Sequence, residues 1–205
     1  MSVIKYKAVF SEDSYHHRFG GNDWITPVCE NCGDNYHQIA SFDLNDPRLS
    51  YIYGICDKSF PIVSCVNCSS CWGDQLFKVD FEKKEIKLIG NTDNIHWVIE
   101  DEYRITVPIA EHSISFEELL YEDEYEGTLD DLGGDYFITA AGNPCFVMEA
   151  DTVCPLCKGE MKYVATVCGD HVGILENEDF EIGETILYYM FCSECDVIKV
   201  IGQST

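Results

Sequence analysis

Four Cys-x-x-Cys pairs constrain this 205-residue chain more than any other feature of its sequence. The pairs are Cys29 and Cys32, Cys65 and Cys68, Cys154 and Cys157, and Cys192 and Cys195. Two residues between cysteines allow a tight turn, here called a knuckle, to direct both thiolates at one ion, and two knuckles complete a tetrahedron of four sulfurs. Because the first residues are polar and alternating and predict no export signal, the pattern favours metal binding over extracellular disulfides.

The spacing between the pairs predicts which knuckles share an ion. The leading cysteines of consecutive knuckles are 36 residues apart in the first half of the chain and 38 in the second. In both halves a Gly-Gly pair, an aromatic residue, a knuckle and a strand-like run precede the second knuckle. We therefore predict a duplicated chain with one zinc-ribbon-like four-cysteine site in each unit, residues 1–113 and residues 114–205. The two units could also pack as one compact domain.

Zinc is the metal that we expect at these sites, with two ions per chain. Since cysteine would fill all four positions of each tetrahedron, no position is left for water or substrate, and both sites are predicted to be structural. A single iron in a rubredoxin-like site and disulfide exchange by isolated pairs remain alternatives. Cys71 follows Cys68 at the same spacing and could replace Cys65, although the repeat favours Cys65.

The sequence gives only weak signals for catalysis. The six histidines show no metalloprotease spacing, and the pairs Gly20–Gly21 and Gly133–Gly134 lack the spacing and the lysine of a phosphate loop. Cys168 and His171 offer a thiol and an imidazole close in sequence, but such neighbours seldom reach a productive geometry, so a turn after a strand is favoured. We expect that the protein is not an enzyme.

The net charge is extreme, since 37 acidic and 13 basic residues give −24 at pH 7. Residues 1–113 carry a net charge of −7 and residues 114–205 carry −17. This balance disfavours direct binding to nucleic acid and to anionic membranes, and it favours a basic protein as partner. Because no apolar run approaches the roughly 18 residues of a membrane span, we expect a soluble, cytoplasmic protein.

The charge is densest in the stretch EELLYEDEYEGTLDDLGGD, residues 117–135, which contains nine carboxylates and no cation. Ser115 and Glu118 form a capping box that predicts an acidic helix ending at Gly127. A solvated acidic face would explain the stretch without a partner, but we interpret it as the surface for a basic partner, with tyrosines as anchors. The predicted contact residues are Glu117, Glu118, Tyr121, Glu122, Asp123, Glu124, Tyr125, Glu126, Asp130 and Asp131.

Runs of β-branched and aromatic residues predict strands through most of the remaining chain. The runs are residues 3–10, 37–44, 60–66, 75–81, 85–90, 97–109, 162–168, 186–192 and 197–202. Residues 76–90 are expected to form a hairpin. With one clear helix beside these strands, the expected fold class is α+β with mostly antiparallel sheet.

The order of these motifs resembles two known families over about residues 18–68 and 131–197. A Gly-Gly pair, an aromatic residue, Cys-x-x-Cys, the strand HQIASFDL and a second Cys-x-x-Cys are similar to the programmed-cell-death-two family of eukaryotic ribosomal-protein chaperones. The tandem arrangement also resembles the bacterial YwqG-like family of unknown function. GGNDWI and GGDYFI lack the proline usual after the glycines, and KYVATV lacks the expected glutamine. The resemblance implies a non-enzymatic protein that holds another protein.

Two functional classes therefore compete. One is a zinc-stabilised acidic module that binds a basic protein, as a chaperone or as an immunity-like inhibitor. The other is a zinc-ribbon component of a nucleic-acid machine or a transcription-associated factor. Nucleic-acid ribbons place lysine and arginine beside their knuckles, whereas the only basic residues of the second unit are Lys158, Lys162 and Lys199. We therefore favour the acidic protein-binding module.

Overall fold

A computed structural model of the chain describes residues 4–12, 14–92, 94–119, 137–169, 182 and 185–204. The described part is built almost entirely from β-strands. They are β1 (Lys5–Phe10), β2 (Arg18–Phe19), β3 (His37–Asp43), β4 (Ser59–Ser64), β5 (Gln75–Asp80), β6 (Glu85–Asn91), β7 (His112–Glu118), β8 (Ile138–Ala141), β9 (Lys162–Val167), β10 (Thr185–Cys192) and β11 (Val197–Ser204). One α-helix, α1 (Ser50–Tyr53), and 3₁₀ turns at Pro47–Leu49, Ser69–Trp72 and Asp101–Tyr103 complete the described elements.

The strands form one sheet in the order β4-β3-β2-β7-β1-β8-β9-β10-β11-β5-β6, and every pairing between them is antiparallel. The predicted hairpin is confirmed, since β5 and β6 pair directly. The order mixes strands from the two halves of the chain, since β1 lies between β7 and β8 and β11 pairs with β5. The predicted antiparallel sheet is therefore confirmed, while the α+β class and the duplication are not established by it.

Eight of the eleven strands are arranged symmetrically about the neighbouring pair β7 and β1, and β11, β5 and β6 continue the sheet beyond β10. On one side of this pair lie β2, β3 and β4, and on the other side lie β8, β9 and β10. The strands β1 to β4 and the strands β7 to β10 therefore occupy equivalent positions. The first strand of each set lies beside the second strand of the other set, since β1 pairs with β8 and β7 pairs with β2. Gly20 (φ 70°) and Gly21 (φ 92°) follow β2, and Ala141 (φ 60°) and Gly142 (φ 74°) end β8 in the same left-handed conformation. The second turn therefore lies at residues 141–142, whereas Gly133 and Gly134 lie outside the described residues.

Two sequence predictions about local structure are wrong. The predicted acidic helix beginning at Ser115 is replaced at its start by β7, whose residues 114–118 pair with β1. Phe116 packs against Phe42 with ring centroids 5.1 Å apart, and the Ser115 hydroxyl is 2.5 Å from that of Ser11. These contacts bury the segment, so tertiary pairing overrides the local capping signal.

The second wrong prediction is the strand over residues 97–109. This segment contains the 3₁₀ turn Asp101–Tyr103 and is otherwise irregular, because its backbone bonds go to the loop of the second knuckle. The Ile99 amide donates to the Asn67 carbonyl at 2.9 Å, and the Ile105 amide donates to the Asn67 side chain at 3.0 Å. The segment therefore contributes to the surroundings of the first cysteine group.

The core lies on both faces of β10, whose eight residues are all buried. Leu187 and Phe191 belong to the large core that extends to β3 and β4. Tyr188, Met190 and Cys192 point to a smaller cluster that contains the second cysteine group. This two-faced burial explains the nearly continuous apolar sequence of the strand. Within the described part of the chain, no helix is long and apolar enough to cross a membrane.

Candidate metal centres

The eight predicted cysteines come together in two groups of four, in the predicted combination. One group contains Cys29, Cys32, Cys65 and Cys68, and the other contains Cys154, Cys157, Cys192 and Cys195. Within each group all sulfurs lie within 4.8 Å of one another, and all twelve cysteines are free thiols. Cys71 is not part of the first group, because its thiol donates to the Cys68 carbonyl at 3.2 Å. The alternative in which Cys71 replaces Cys65 is therefore excluded by the arrangement.

The distances between sulfurs fit a tetrahedral metal site. In the first group the Sγ–Sγ distances are 3.6 Å between Cys29 and Cys68, 3.5 Å between Cys32 and Cys65, and 3.3 Å between Cys65 and Cys68. In the second group Cys157 and Cys192 are 3.6 Å apart. Four sulfurs about 2.3 Å from a zinc ion in a tetrahedron would be about 3.8 Å apart, slightly wider than these distances. The spacing of the sulfurs therefore allows each group to hold one metal ion.

The first knuckles of the two groups have the same backbone hydrogen bonds. The Cys29 amide donates to the Asp34 carbonyl at 2.7 Å, and the Gly33 amide donates to the Cys29 carbonyl at 2.9 Å. Adding 125 to each residue number gives the corresponding bonds of the other knuckle. The Cys154 amide donates to the Gly159 carbonyl at 2.8 Å, and the Lys158 amide donates to the Cys154 carbonyl at 3.0 Å.

The same shift of 125 relates further contacts around these knuckles. The bridge between Val28 and Asn35 corresponds to that between Val153 and Glu160. The turn needs a left-handed residue at its fifth position, which is Gly33 (φ 81°) in one knuckle and Lys158 (φ 64°) in the other. One backbone design therefore presents the first two sulfurs of both sites.

A network of side chains closes the first site from outside. The Asp34 carboxylate accepts hydrogen bonds from Arg104, at 2.6 Å from Nη2, and from the Asn67 amide at 2.7 Å. Arg104 also donates to the Cys32 carbonyl at 2.9 Å, and Asn67 donates to the Ile105 carbonyl at 2.8 Å. Although burial alone would raise the pKa of Asp34, the bonds from Arg104 and Asn67 hold it below its usual value. Because Asp34 follows the first knuckle and Asn67 lies within the second, this network joins both halves of the site.

Lysines take the corresponding place at the second site. Lys78 donates to the Cys195 carbonyl. The Lys199 ammonium donates to the Asp151 carbonyl at 2.7 Å and pairs with the carboxylates of Asp74 at 3.0 Å and Asp151 at 3.6 Å. These cations lie beside a group of thiols that would be negative when it binds a metal, so they offset part of its charge.

The thiols of each group influence one another's ionisation. Hydrogen bonds from Cys65 and Cys68 hold the pKa of Cys29 far below its usual value, and the bond with Cys29 raises the pKa of Cys65. Burial raises the pKa of Cys32 to about 12. In the second group burial opposes ionisation of Cys154, but backbone amides of the knuckle donate to its sulfur and lower its pKa to about 7. One thiolate therefore forms readily, and a cation must displace protons from neighbouring thiols.

A buried polar cluster at the other end of β3 escaped the sequence analysis. His17 Nδ1 accepts from the Asp43 amide at 3.1 Å, so its proton lies on Nε2, which is 2.9 Å from Asp46 Oδ2. Arg48 binds the same carboxylate with Nη2 at 2.7 Å. Burial lowers the pKa of His17 despite the Asp46 carboxylate. The signal in the sequence is weak, because only the spacing of Asp46 and Arg48 is local.

The predicted partner-contact residues are only partly described. Glu117 and Glu118 are exposed at the end of β7. The remaining eight lie outside the described residues; they are Tyr121, Glu122, Asp123, Glu124, Tyr125, Glu126, Asp130 and Asp131. Cys168 is buried after β9, with a pKa raised to about 12 by burial, and His171 lies outside the described residues.

Comparisons with protein-family models, with curated proteins and with solved structures found no match to this chain. The sites must therefore be interpreted from their own geometry.

Proposed function

We propose that this protein is a non-enzymatic, zinc-stabilised acidic module that binds a basic protein. The observation that carries the metal part is the presence of two groups of four clustered thiols. Zinc is the best match to a four-sulfur tetrahedron in a non-redox role, and such sites leave no open position for a substrate. A cytoplasmic location, where thiols stay reduced, is part of the proposal.

The metal part has a direct test. Untagged protein purified from zinc-supplemented cells should contain about two zinc ions per chain by elemental mass spectrometry, with no iron absorption in the visible range. Less than about one zinc per chain, or stoichiometric iron, would contradict the assignment. Mass measurement with and without a thiol-alkylating reagent would separately detect any disulfide, which zinc sites of this kind exclude.

The matching knuckles support a further part of the proposal, that the two halves descend from a duplicated zinc-ribbon-like unit. The hydrogen bonds that coincide after a shift of 125 residues involve the backbone alone, so the shared geometry does not depend on identical side chains. The resemblance to the programmed-cell-death-two and YwqG-like families is also to tandem units. In that context a role in holding another protein is the natural interpretation of two structural metal sites.

The charge supports the choice of a basic partner. The chain carries −24 before metal is counted, and four thiolates on a divalent ion add about two negative charges per site. A field of this sign accelerates association with cations and repels nucleic acid phosphates. A ribosomal-type protein or a basic toxin fits this field better than a nucleic acid does. We place part of the contact at the acidic segment that begins at Glu117 and Glu118.

A pull-down from native lysate at low and at high salt tests the partner. Recovered proteins should be basic, and their capture should fall steeply with salt because the attraction is screened. Neutralising the eight acidic contact residues should weaken capture. Recovery of acidic proteins or of nucleic acid would instead favour the zinc-ribbon component of a nucleic-acid machine.

A matched pair of variants separates the surface from the net charge. Glu117→Gln with Glu118→Gln changes the predicted surface, while Glu82→Gln with Glu149→Gln removes two exposed charges elsewhere. The first pair should slow association more than the second. Equal effects would show that the field of the whole protein, and not this segment, attracts the partner.

A further inference from the structure

Two tryptophans form an exposed stack beside the first metal centre. The indole rings of Trp72 and Trp97 lie nearly parallel, with an angle of 11° between their planes and 5.5 Å between their centroids. Trp72 is 42% exposed and Trp97 is 47% exposed. Large aromatic side chains in contact with each other and still open to solvent are typical of interaction surfaces rather than of cores.

The second knuckle of the first site holds both indoles in place. Trp72 ends the 3₁₀ turn whose N-cap is Cys68. The Ser69 amide donates to the Trp97 carbonyl at 2.8 Å, and the Trp97 amide donates to the Ser69 hydroxyl at 2.9 Å. Val98 forms an antiparallel bridge with Cys68. A ligand cysteine therefore anchors the two chain segments that carry the stack.

The 3₁₀ turn that carries Trp72 is also closely packed against β11. A Cβ on Gly202 would lie 2.1 Å from the Cys71 carbonyl oxygen, so β11 passes directly beneath the 3₁₀ turn. Such close backbone packing leaves the turn little room to move. The stack is therefore a preformed surface, which lowers the entropic cost of binding.

The exposed charged residues on the segments that adjoin the stack are mostly acidic. Glu30, Glu100, Asp101 and Glu102 are exposed on the adjoining segments, and residues 92–103 contain no lysine or arginine.

Two cations on the adjoining elements are already paired. Lys199 is 3.0 Å from an oxygen of Asp74, and Arg104 is 2.6 Å from Asp34 and 3.1 Å from Asp101. The indole faces are consequently open to a cation from another molecule.

We propose that Trp72 and Trp97 form an aromatic platform that binds arginine side chains of a basic protein segment. The inference rests on the proposed function and names its contact surface. A guanidinium group is planar and weakly hydrated, so it stacks on an indole face while its N–H groups reach surrounding carboxylates. A lysine ammonium is more strongly hydrated and offers no plane to stack, so arginine is the preferred ligand.

Fluorescence anisotropy with labelled peptides tests the platform in the zinc-loaded full chain. The probes are an arginine-rich and a lysine-rich peptide of equal length and charge. Wild type should bind the arginine peptide about 3- to 10-fold more tightly. Trp72→Ala with Trp97→Ala should weaken arginine-peptide binding about 3- to 30-fold, the range expected for lost cation–π contacts, and should leave lysine-peptide binding within about 2-fold.

Tyr103→Ala is the matched control, because Tyr103 is 66% exposed on the same segment and is not part of the stack. It should bind both peptides as wild type does. Zinc content and thermal unfolding must be unchanged in all variants compared, and Trp97→Phe, which keeps an aromatic face, should retain part of the arginine preference.

The outcomes separate this inference from the proposed function. If wild type binds both peptides equally and the double tryptophan variant is unaffected, binding to basic proteins stands and the platform is wrong. If neither peptide binds at low salt, the proposed function itself fails. Tighter binding of a single-stranded RNA probe than of the arginine peptide, or dimerisation abolished by the double variant, would also overturn the arginine platform.

Discussion

Replacing Asn67 by alanine should destabilise the first metal centre, although Asn67 is not a ligand. Its side chain is buried and makes three hydrogen bonds. It donates to Asp34 at 2.7 Å and to the Ile105 carbonyl at 2.8 Å, and it accepts from the Ile105 amide at 3.0 Å. In Asn67→Ala the Ile105 amide loses its partner, while the Ile105 carbonyl keeps a bond from His37 at 2.8 Å.

The cost follows from these contacts. The unpaired amide of the partly buried Ile105 costs about 1–3 kcal/mol, and loss of a hydrogen bond to a carboxylate that keeps Arg104 adds about 1 kcal/mol. The free energy of unfolding should therefore fall by about 2–4 kcal/mol. For a chain of this size that corresponds to a decrease in Tm of about 5–15 °C. Loss of a group that orients the ligands should also make zinc about 10-fold easier to extract.

Thermal unfolding by circular dichroism and competition with a zinc chelator measure the two effects. Asn31→Ala is the matched control, since Asn31 occupies the same position in the first knuckle. Its longer bonds, 3.4 Å to Ser69 and 3.3 Å to the Trp97 carbonyl, should contribute less than about 1 kcal/mol. If the two variants melt within about 2 °C of each other and release zinc alike, the network around Asp34 does not support the site.

Four other substitutions test three separate features. Cys65→Ser should lose one of two zinc ions by elemental analysis, whereas Cys71→Ser should keep both. The reason is that the sulfur of Cys65 lies in the cluster and the sulfur of Cys71 does not. His17 has a lowered folded pKa, so unfolded chains bind more protons below about pH 6.5 and stability falls as pH falls through that value. His17→Gln should flatten this dependence in urea unfolding between pH 7 and 6. Lys158→Gly should increase the free energy of unfolding by about 0.5–1 kcal/mol and so raise the thermal midpoint. Lys158 has a φ of 64°, a left-handed conformation that glycine adopts without strain.

Residue patterns predict the two four-cysteine groups and most strands, because both signals are local. A Cys-x-x-Cys turn needs only four residues, and the partial alternation of apolar and polar residues in β5 shows directly in the alternating burial of that strand. The start of the acidic segment was mistaken for a helix because Ser115 and Glu118 satisfy a capping rule within one turn. The pairing that decides the matter joins β7 to β1, with Ser115 and Ser11 separated by 104 residues.

The surroundings of the first site were beyond sequence reasoning for the same reason. Arg104 and Asp34 are 70 residues apart, and Asn67 and Ile105 are 38 apart. Nothing in the pattern around residues 97–109 distinguishes an irregular segment that donates to a metal-site loop from a strand that pairs with a neighbour. Which of the two forms depends on where the hydrogen-bond partners of its backbone amides lie, and their position is set by the whole sheet.

The two first knuckles show which part of a metal site is dictated by its backbone. Both use the same hydrogen bonds, yet the left-handed fifth position is glycine in one and Lys158 in the other. Glycine adopts this conformation freely, whereas a lysine is strained by about 1 kcal/mol. The strain persists because the turn is closed on both sides by bonds of Cys154, to Gly159 and from Lys158. Metal binding to the same turn would favour that closed geometry further, so the strained residue is tolerated where the sulfurs are held.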